Sequence, residues 1–259
     1  MSGATFGIGL DVGSTTTKGV LVDSRNRILA SYLRTTGASA AASVAEVIAE
    51  LKTQSKIDIK DCRIVGTGYG RAIVEIADLN ITEITCHSVG VNALNPDIRL
   101  LIDVGGQDSK VIRIGPKGRP TDFELNDKCS AGTGRFLEVM ARVLEISIDE
   151  LGPLALDSKS PCTISSTCTV FAESEVIGRI GSGDSPADIA AGVHIAMAGK
   201  IGALSKRVGV AKPIGVTGGV ALNPAFRHYL GQKLDAELWQ PEEPQLTGAL
   251  GAAILALQE

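Results

Sequence analysis

The sequence predicts an α/β fold built from two related halves. Asp11-Val12-Gly13 is followed by Lys18, and Asp103-Val104-Gly105 is followed by Lys110, with the same seven-residue interval between acid and lysine. Each copy leaves an apolar run, turns at glycine and enters a second run rich in β-branched residues. This is the pattern of a β-hairpin whose first strand is buried. We therefore expect one half at residues 1–96 and the other at 97–243.

The first half is expected to contain several strands and two helices. Residues 6–34 predict three consecutive strands, and an Ala-rich helix is expected from about Ser39 to Lys52. A short strand begins at Cys62, and a helix over 88–94 closes the half. The junction falls at Asn95-Pro96, because a residue before proline resists helical geometry.

The second half restarts with a strand at Leu100 and continues mainly as helices. An amphipathic helix is expected from about Ala131, because apolar residues recur at helical spacing: Phe136, Val139, Met140, Val143 and Leu144. Another helix is expected after Cys168, where small hydroxyl residues offer N-caps: Ser165, Ser166 and Thr167. Other elements are expected as helices over 186–208, 224–234 and 246–257 and a strand over 213–217. We expect the C-terminal helix, within 244–259, to pack back on the first half.

Composition excludes several classes of function. The chain has 259 residues with 44% hydrophobic content, which is enough to bury a sizeable core. A net charge of −4, without a basic cluster interleaved with aromatic residues, argues against nucleic acid as a partner. The N-terminus lacks a basic region, and Asp11 interrupts the first apolar run, so neither a signal peptide nor a membrane span is expected. A cytoplasmic protein that does not bind membranes is predicted.

The repeated acid and glycine pattern suits nucleotide binding. A carboxylate before a Gly-rich turn can hold a divalent metal, while the N–H groups of the turn cradle phosphates. Two such turns predict a nucleotide cleft between the halves. No segment matches a P-loop, and Gly7–Gly13 fits the dinucleotide fingerprint only loosely, because its last interval is too long. A single Asp-Val-Gly is usually an ordinary turn at the end of a strand. Its repetition at matched spacing favours a common function of the two copies over a chance recurrence.

These residues resemble the ATPase superfamily of acetate and sugar kinases, actin and heat-shock chaperones. Asp11–Lys18 is similar to its first phosphate loop, Asp103–Lys110 to its second and Val216–Asn223 to its adenosine loop. The resemblance implies a duplicated ribonuclease-H-like, actin-like ATPase fold, with two lobes around a nucleotide cleft. It also implies ATP or ADP with Mg²⁺ as ligands.

The same resemblance implies roles for individual residues. Asp11 and Asp103 would organise magnesium and the attacking water, and Gln107 would help to orient that water. The implied phosphate-binding residues are Gly13, Ser14, Thr15, Thr16, Lys18, Gly105 and Gly106. The remaining nucleotide-binding residues would be Gly132, Thr133, Gly134, Gly218, Gly219, Val220 and Gln245.

Longer segments resemble the activators of 2-hydroxyacyl-CoA dehydratases and the related ATPase subunits of benzoyl-CoA reductases. The segments that carry this similarity are Thr67–Arg71, Asn126–Phe136 and Ser165–Val176. The resemblance implies a homodimer that shares one 4Fe–4S cluster, with Cys129 and Cys168 as the ligands from each chain. Ser130 and Leu222 depart from the family motifs, where alanine and a polar residue are more common.

The positions of these two cysteines agree with thiolate chemistry. Cys129 and Cys168 each precede an expected helix, and the positive end of a helix dipole lowers the pKa of a thiol. Cys62 and Cys86 are interpreted as buried apolar residues. Cys162, six positions before Cys168, is either a silent neighbour or the true ligand. Five cysteines without a secretion signal argue against disulfides, and the three histidines show no metal-ligand spacing.

Three functions are compatible with these observations. The leading hypothesis is an ATP-driven electron donor that receives an electron from ferredoxin or flavodoxin. Its acceptor would be a 2-hydroxyacyl-CoA dehydratase, a benzoyl-CoA reductase or a double-cubane cluster protein, and the sequence does not distinguish these. A sugar or acetate kinase is the main alternative, but it leaves Cys129 and Cys168 without a role. A nucleotide-gated scaffold or chaperone without redox chemistry is the third.

Overall fold

The computed structural model describes residues 5–165 and 168–258. The chain divides into two compact units. The first unit contains the chain up to Ile98, residues 114–121 and the chain from Gln245, and the second contains 99–113 and 122–244. Residues 114–121, which the sequence boundary of 97–243 includes in the second half, thus group with the first unit. Gly118 lies against Asn92 of the first unit, since an ideal Cβ on Gly118 would be 2.8 Å from the Asn92 Cβ.

Each unit contains one five-stranded sheet together with helices. In chain order the strands are β1 (Phe6–Val12), β2 (Thr16–Asp23), β3 (Ile28–Thr35), β4 (Cys62–Thr67), β5 (Leu79–Asn80), β6 (Leu100–Val104), β7 (Ser109–Ile114), β8 (Pro120–Asn126), β9 (Ile214–Thr217) and β10 (Leu238–Trp239). The helices are α1 (Ala40–Ser55), α2 (Glu83–Leu94), α3 (Gly134–Val143), α4 (Ile148–Leu156), α5 (Thr169–Gly181), α6 (Pro186–Val208), α7 (Pro224–Leu234) and α8 (Thr247–Ala256).

The two sheets have the same topology. The first has the order β3-β2-β1-β4-β5, and the second has the corresponding order β8-β7-β6-β9-β10. In both, the leading strand is antiparallel to its hairpin partner and parallel to the strand on its other side. The register places Asp11 opposite Lys18 and Asp103 opposite Lys110. The sequence repeat is therefore a structural repeat.

Helices pack on the first sheet because its residues alternate between two apolar faces. Leu10 and Leu21 pack with α1 residues such as Val47, whereas Val20 and Val22 pack with α8. Gly7 and Gly9 permit the approach of α8, since an ideal Cβ on either would collide with a backbone carbonyl oxygen of that helix. The C-terminal helix is thus part of the first unit.

The core of the second unit surrounds α6. Its residues Ile189, Val193, Met197 and Ile201 are fully buried and pack with strands β6 and β9. Among the described residues, α6 is long and apolar enough to cross a bilayer by length and composition alone. However, 61% of its apolar window is buried inside the unit, as in the central helix of a globular core.

Most of the expected elements are confirmed, and the differences have local causes. The structure has α6 and α7 at the expected bounds, but α2 begins earlier than expected because Thr82 accepts a hydrogen bond from Thr85 N. Helix α3 begins at Gly134 rather than near Ala131, since Gly132 has a positive φ of 92°. Strand β8 and helix α4 were not expected. Cys168 itself is the N-cap of α5, while Ser166 and Thr167 lie outside the described residues.

A buried histidine makes the stability of the second unit dependent on pH. His194 on α6 donates from Nδ1 to the Ala190 oxygen at 2.7 Å, and burial lowers its pKa from 6.5 to about 4. The unfolded chain binds this proton more readily, so the stabilisation is complete above pH 6.5 and is lost as the pH falls towards 4.

We expect acid to destabilise the native protein more than the variant His194→Gln. The difference in unfolding free energy between pH 7 and pH 5 should be about 2 kcal/mol larger for the native chain. Urea unfolding at both pH values measures this difference, and the exposed His228 gives the control His228→Gln. Equal pH dependence in the native chain and His194→Gln would contradict the expectation.

Candidate functional site

The first unit presents an acid and a lysine at the end of its leading hairpin. Lys18 Nζ lies 3.2 Å from Asp11 Oδ2, and both side chains are largely buried. Gly13 N donates to the Thr16 oxygen at 3.0 Å, which closes the turn. Ser14 and Thr15 are exposed at its tip, and Thr16 begins β2. The turn thus offers polar groups to a ligand above a buried carboxylate.

A second loop of the first unit reaches the same carboxylate. Thr67 ends β4 opposite Asp11, and the next residue, Gly68, has a φ of +87°. An ideal Cβ on Gly68 would lie 2.5 Å from Asp11 Oδ1 and 2.6 Å from the Val12 oxygen. Glycine is therefore required for both its backbone conformation and its closeness to Asp11.

Alanine at position 68 should lower the free energy of unfolding more than alanine at another glycine with positive φ. Gly37 also has a positive φ, 62°, but an ideal Cβ there meets no atom within 4 Å. Gly37→Ala should cost about 1 kcal/mol from backbone strain, and Gly68→Ala about 3 kcal/mol because the methyl group also displaces Asp11. Thermal unfolding of both variants measures the difference, and similar midpoints would show that Asp11 is not crowded by Gly68.

His87 adds a third neighbour to Asp11. It is buried on α2, with Nδ1 lying 3.3 Å from Thr247 Oγ1. An ideal Cβ on Gly248 would lie 2.9 Å from His87 Nε2 and 3.0 Å from Asp11 Oδ2. The sequence did not reveal this neighbour, because His87 is distant from Asp11 along the chain and has no metal-ligand spacing.

The second unit repeats the acid and lysine arrangement. Lys110 Nζ lies 3.4 Å from Asp103 Oδ2 and 2.6 Å from Asp108 Oδ2. Thr217, at the end of β9, donates from Oγ1 to Asp103 Oδ1 at 2.8 Å. Sequence reasoning missed Asp108 and Thr217. Thr217-Gly218 corresponds to Thr67-Gly68, so the repetition of Thr-Gly after a parallel strand was the available signal.

Helix α3 is joined to the second glycine turn by backbone hydrogen bonds. Gly134 N donates to the Gly105 oxygen and Arg135 N to the Gly106 oxygen, both at 2.8 Å. An ideal Cβ on Gly134 would lie 3.4 Å from Val220 Cγ2. Thr133, the buried N-cap of α3, follows the positive-φ residue Gly132, and Gln107 is exposed at the turn. The fold thus brings together nucleotide-binding candidates from three separate segments.

The loop after β9 is closely packed. Gly218 has a φ of +85°, and an ideal Cβ would collide with the Val104 oxygen. Its N–H donates to the Pro244 oxygen at 2.9 Å. Gly219, half-exposed, begins a short helix over Gly219–Leu222, and Gln245, also half-exposed, follows Pro244.

The two candidate cluster ligands lie on neighbouring segments of the second unit. Cys168 is exposed, and its carbonyl oxygen accepts from Ala172 N at 2.9 Å. Cys129 is half-buried in the loop between β8 and α3. The prediction that it directly precedes a helix is wrong, because the turn at Gly132 delays the start of α3 and its N-cap is Thr133. The adjacent residues Ser130 and Thr169 are joined by a hydrogen bond of 2.8 Å between their hydroxyl oxygens. In the part of the chain that the structure describes, no group of three potential metal ligands occurs.

The other cysteines are in environments that oppose thiolate formation. Burial raises the pKa of the Cys62 thiol to about 11 and that of the Cys86 thiol to about 12. Partial burial, followed by the charge of Asp184, raises the pKa of the Cys162 thiol. The interpretation as a buried apolar residue agrees with Cys86, which is fully buried in the first unit, whereas Cys62 is only half-buried at the edge of a separate apolar cluster.

Comparison with known proteins gives one family. Residues 8–256 match the model of the BadF/BadG/BcrA/BcrD ATPase family. The chain is 43% identical to the 2-hydroxyisocaproyl-CoA dehydratase activator of Clostridioides difficile, over 98% of this chain and 96% of that protein. It is 41% identical to the (R)-2-hydroxyglutaryl-CoA dehydratase activating ATPase of Acidaminococcus fermentans, over 98% of each chain.

Solved structures show the same fold. The C. difficile activator with bound ADPNP superposes with a TM-score of 0.91 at 42% identity, covering 98% of this chain and 94% of that one. A glucokinase from Streptomyces griseus has a TM-score of 0.58 at 14% identity, which is a likeness of fold alone, over 98% of this chain and all of that one. The expected two-lobe α/β fold of the actin-like ATPases is confirmed.

Proposed function

Because the chain belongs to the BadF/BadG/BcrA/BcrD ATPase family and is similar to activators of 2-hydroxyacyl-CoA dehydratases, we propose that it couples ATP hydrolysis to low-potential electron transfer. The electron would come from ferredoxin or flavodoxin and pass to a partner iron–sulfur enzyme. The observation that carries the proposal is the hydrogen bond between Ser130 and Thr169, which joins the segment of Cys129 to that of Cys168. Both segments lie in the same unit as the second phosphate loop.

The duplicated loops support ATP hydrolysis. Asp11 and Asp103 are buried carboxylates, each paired with a lysine, so they can organise Mg²⁺ and the attacking water. Lys18 and the turn N–H groups would neutralise phosphate charge. Gln107 is exposed and able to orient water, and the loop beginning at Gly218 would receive the adenosine.

The cysteine pair fits half of a 4Fe–4S site. Such a cluster is usually held by four thiolates, and Cys129 and Cys168 would supply two from each chain. Cys168 is exposed at a helix N-terminus, where free N–H groups stabilise a thiolate. When bound, a cluster of this kind supplies one-electron chemistry over a wide range of potentials.

A homodimer would provide the other two thiolates. Helix α5 exposes Val170 and Phe171, 66% and 69% accessible, directly after Cys168. Ile177 and Ile180 continue the exposed apolar surface along the helix. A two-fold axis beside Cys168 would bury these side chains against their own copies and bring four cysteines together.

A chain of hydrogen bonds connects the phosphate loop with the cysteines. Gly105 and Gly106 accept from the first residues of α3, Thr133 donates to the Ser130 oxygen, and Ser130 contacts Thr169. A change at the nucleotide would reach Cys129 and Cys168 along this path. To switch such a two-state element almost completely, the nucleotide states must differ by about 5.5 kcal/mol in their preference.

The acceptor would be a 2-hydroxyacyl-CoA dehydratase, a benzoyl-CoA reductase or a double-cubane cluster protein, and the site would operate in the cytoplasm without nucleic acid or membrane. A sugar or acetate kinase has no specific support, since the likeness to glucokinase concerns the fold alone.

Anaerobic purification and reconstitution with iron and sulfide test the proposal. We expect a brown dimer with about two irons per chain. The dimer should hydrolyse ATP. After reduction by ferredoxin or flavodoxin, it should pass electrons to a dehydratase only when ATP is present. A colourless monomer after reconstitution would refute it, and phosphoryl transfer to a sugar or acetate would favour the kinase.

A further inference from the structure

We propose that the hydrogen bond between Ser130 and Thr169 fixes the spacing of the two candidate cluster ligands. This role rests on the proposed function, because it requires Cys129 and Cys168 to hold a cluster. Each hydroxyl belongs to the residue that follows one cysteine, and the two oxygens lie 2.8 Å apart. Ser130 and Thr169 are therefore positioning residues rather than ligands.

The Cys129 segment is braced within itself. Asn126 Nδ2 donates to the carbonyl oxygens of Cys129 and Ala131 at 2.9 and 3.0 Å. Thr133 donates to the Ser130 oxygen from both its N–H and its hydroxyl, at 3.0 and 2.7 Å. These bonds hold the backbone carbonyl groups of Cys129, Ser130 and Ala131 in place. The Ser130 side chain therefore projects from a backbone whose position is fixed by hydrogen bonds.

The Cys168 segment is anchored separately. Ala172 N donates to the Cys168 oxygen, and Ala172 and Val176 are fully buried in the second unit. Before the cysteine, Glu175 accepts from Ser165 N at 3.0 Å and from the Ser165 hydroxyl at 3.2 Å. The chain is thus held to α5 by hydrogen bonds both at Cys168 and at Ser165 before it.

The hydroxyl pair connects these two braced segments. The bonds within each segment join residues at most ten positions apart, whereas Ser130 and Thr169 are separated by 39. A metal group held by several ligands is retained because a ligand that dissociates stays close and binds again. A fixed spacing preserves that closeness, and its loss would allow one thiolate to move away from the other.

Four variants test this role in the full-length protein. Ser130→Ala and Thr169→Val each remove one hydroxyl, the double variant removes both, and Ser130→Thr retains a hydroxyl. The control is Ser174→Ala, because the Ser174 hydroxyl on the same helix bonds locally, to the Val170 oxygen at 3.3 Å. Two quantities are measured: iron release to a chelator from the reconstituted dimer, and hydrogen–deuterium exchange over 128–133 and 168–172 in the iron-free protein.

Each single variant should release iron about fivefold faster, as expected for the loss of one neutral hydrogen bond. The double variant should be no faster than the singles, since both remove the same bond. Ser130→Thr and Ser174→Ala should behave as the native chain. Ser130→Ala should also accelerate exchange over 168–172, which lies in the other segment.

Native release rates in the single variants, or multiplied effects of about 25-fold in the double variant, would overturn the role. Failure of the native chain to bind iron would instead refute the proposed function. In that case the exchange of the iron-free protein still decides whether the hydroxyl pair couples the segments, since unchanged exchange over 168–172 in Ser130→Ala would overturn that coupling.

Discussion

Replacing Cys168 with serine is expected to abolish iron binding, with content after anaerobic reconstitution falling from about two irons per chain to nearly none. The reason is that a shared cluster would lose two of its four thiolates at once, one from each chain. Electron transfer to a dehydratase should be lost with the iron. Because Cys168 is exposed and serine is a favourable N-cap residue, the iron-free protein should lose no stability. Cys129→Ser should have the same effect on iron.

Cys162→Ser is the matched control for this prediction. Cys162 is half-buried six residues before Cys168, and its raised pKa opposes thiolate formation. The variant Cys162→Ser should therefore retain the native iron content. Loss of iron in Cys162→Ser, with retention in Cys168→Ser, would make Cys162 the ligand and overturn the assignment. Iron analysis and visible absorption of the three variants decide between them.

Replacing Asp103 with asparagine should lower the rate of ATP hydrolysis at least about 100-fold, because the neutral amide cannot organise Mg²⁺ and the attacking water. The fold should survive. The amide oxygen can still accept from Thr217, and Lys110 keeps its ion pair with Asp108 at 2.6 Å. Only the charge at the proposed reaction centre is removed.

The control is Asp122→Asn, which neutralises an exposed acid on β8 of the same unit. It should hydrolyse ATP at the native rate. Binding of ADP should be retained within a few-fold by Asp103→Asn, since the loop at Gly218 is unchanged. Steady-state hydrolysis and ADP titration measure these effects. Native turnover in Asp103→Asn would exclude Asp103 from the chemistry.

The two hairpins were predictable because their information is local. An apolar strand, a glycine turn and a β-branched strand follow one another along the chain, so Asp11 faces Lys18 and Asp103 faces Lys110 without help from distant residues. Helices α6 and α7 were predictable for a similar reason, since proline begins each of them.

Other features could not be predicted from neighbouring residues. Strand β8 is largely exposed, so it lacks the alternating apolar pattern that marks a half-buried strand. The contact of Thr217 with Asp103 joins residues 114 positions apart. The approach of His87 and Gly248 to Asp11 depends on how α2 and α8 pack, which the helical periodicity of either segment does not specify.

The sequence by itself determined the duplicated α/β architecture, the two acid and lysine pairs and the placement of Cys168 at a helix start, because each follows from residues close together in the chain. Tertiary structure decided which side chains surround each carboxylate, that α3 is joined to the second glycine turn and that Ser130 contacts Thr169. The physical reason is that hydrogen bonds and packing between distant segments form only when the sheets and helices bury their apolar faces together.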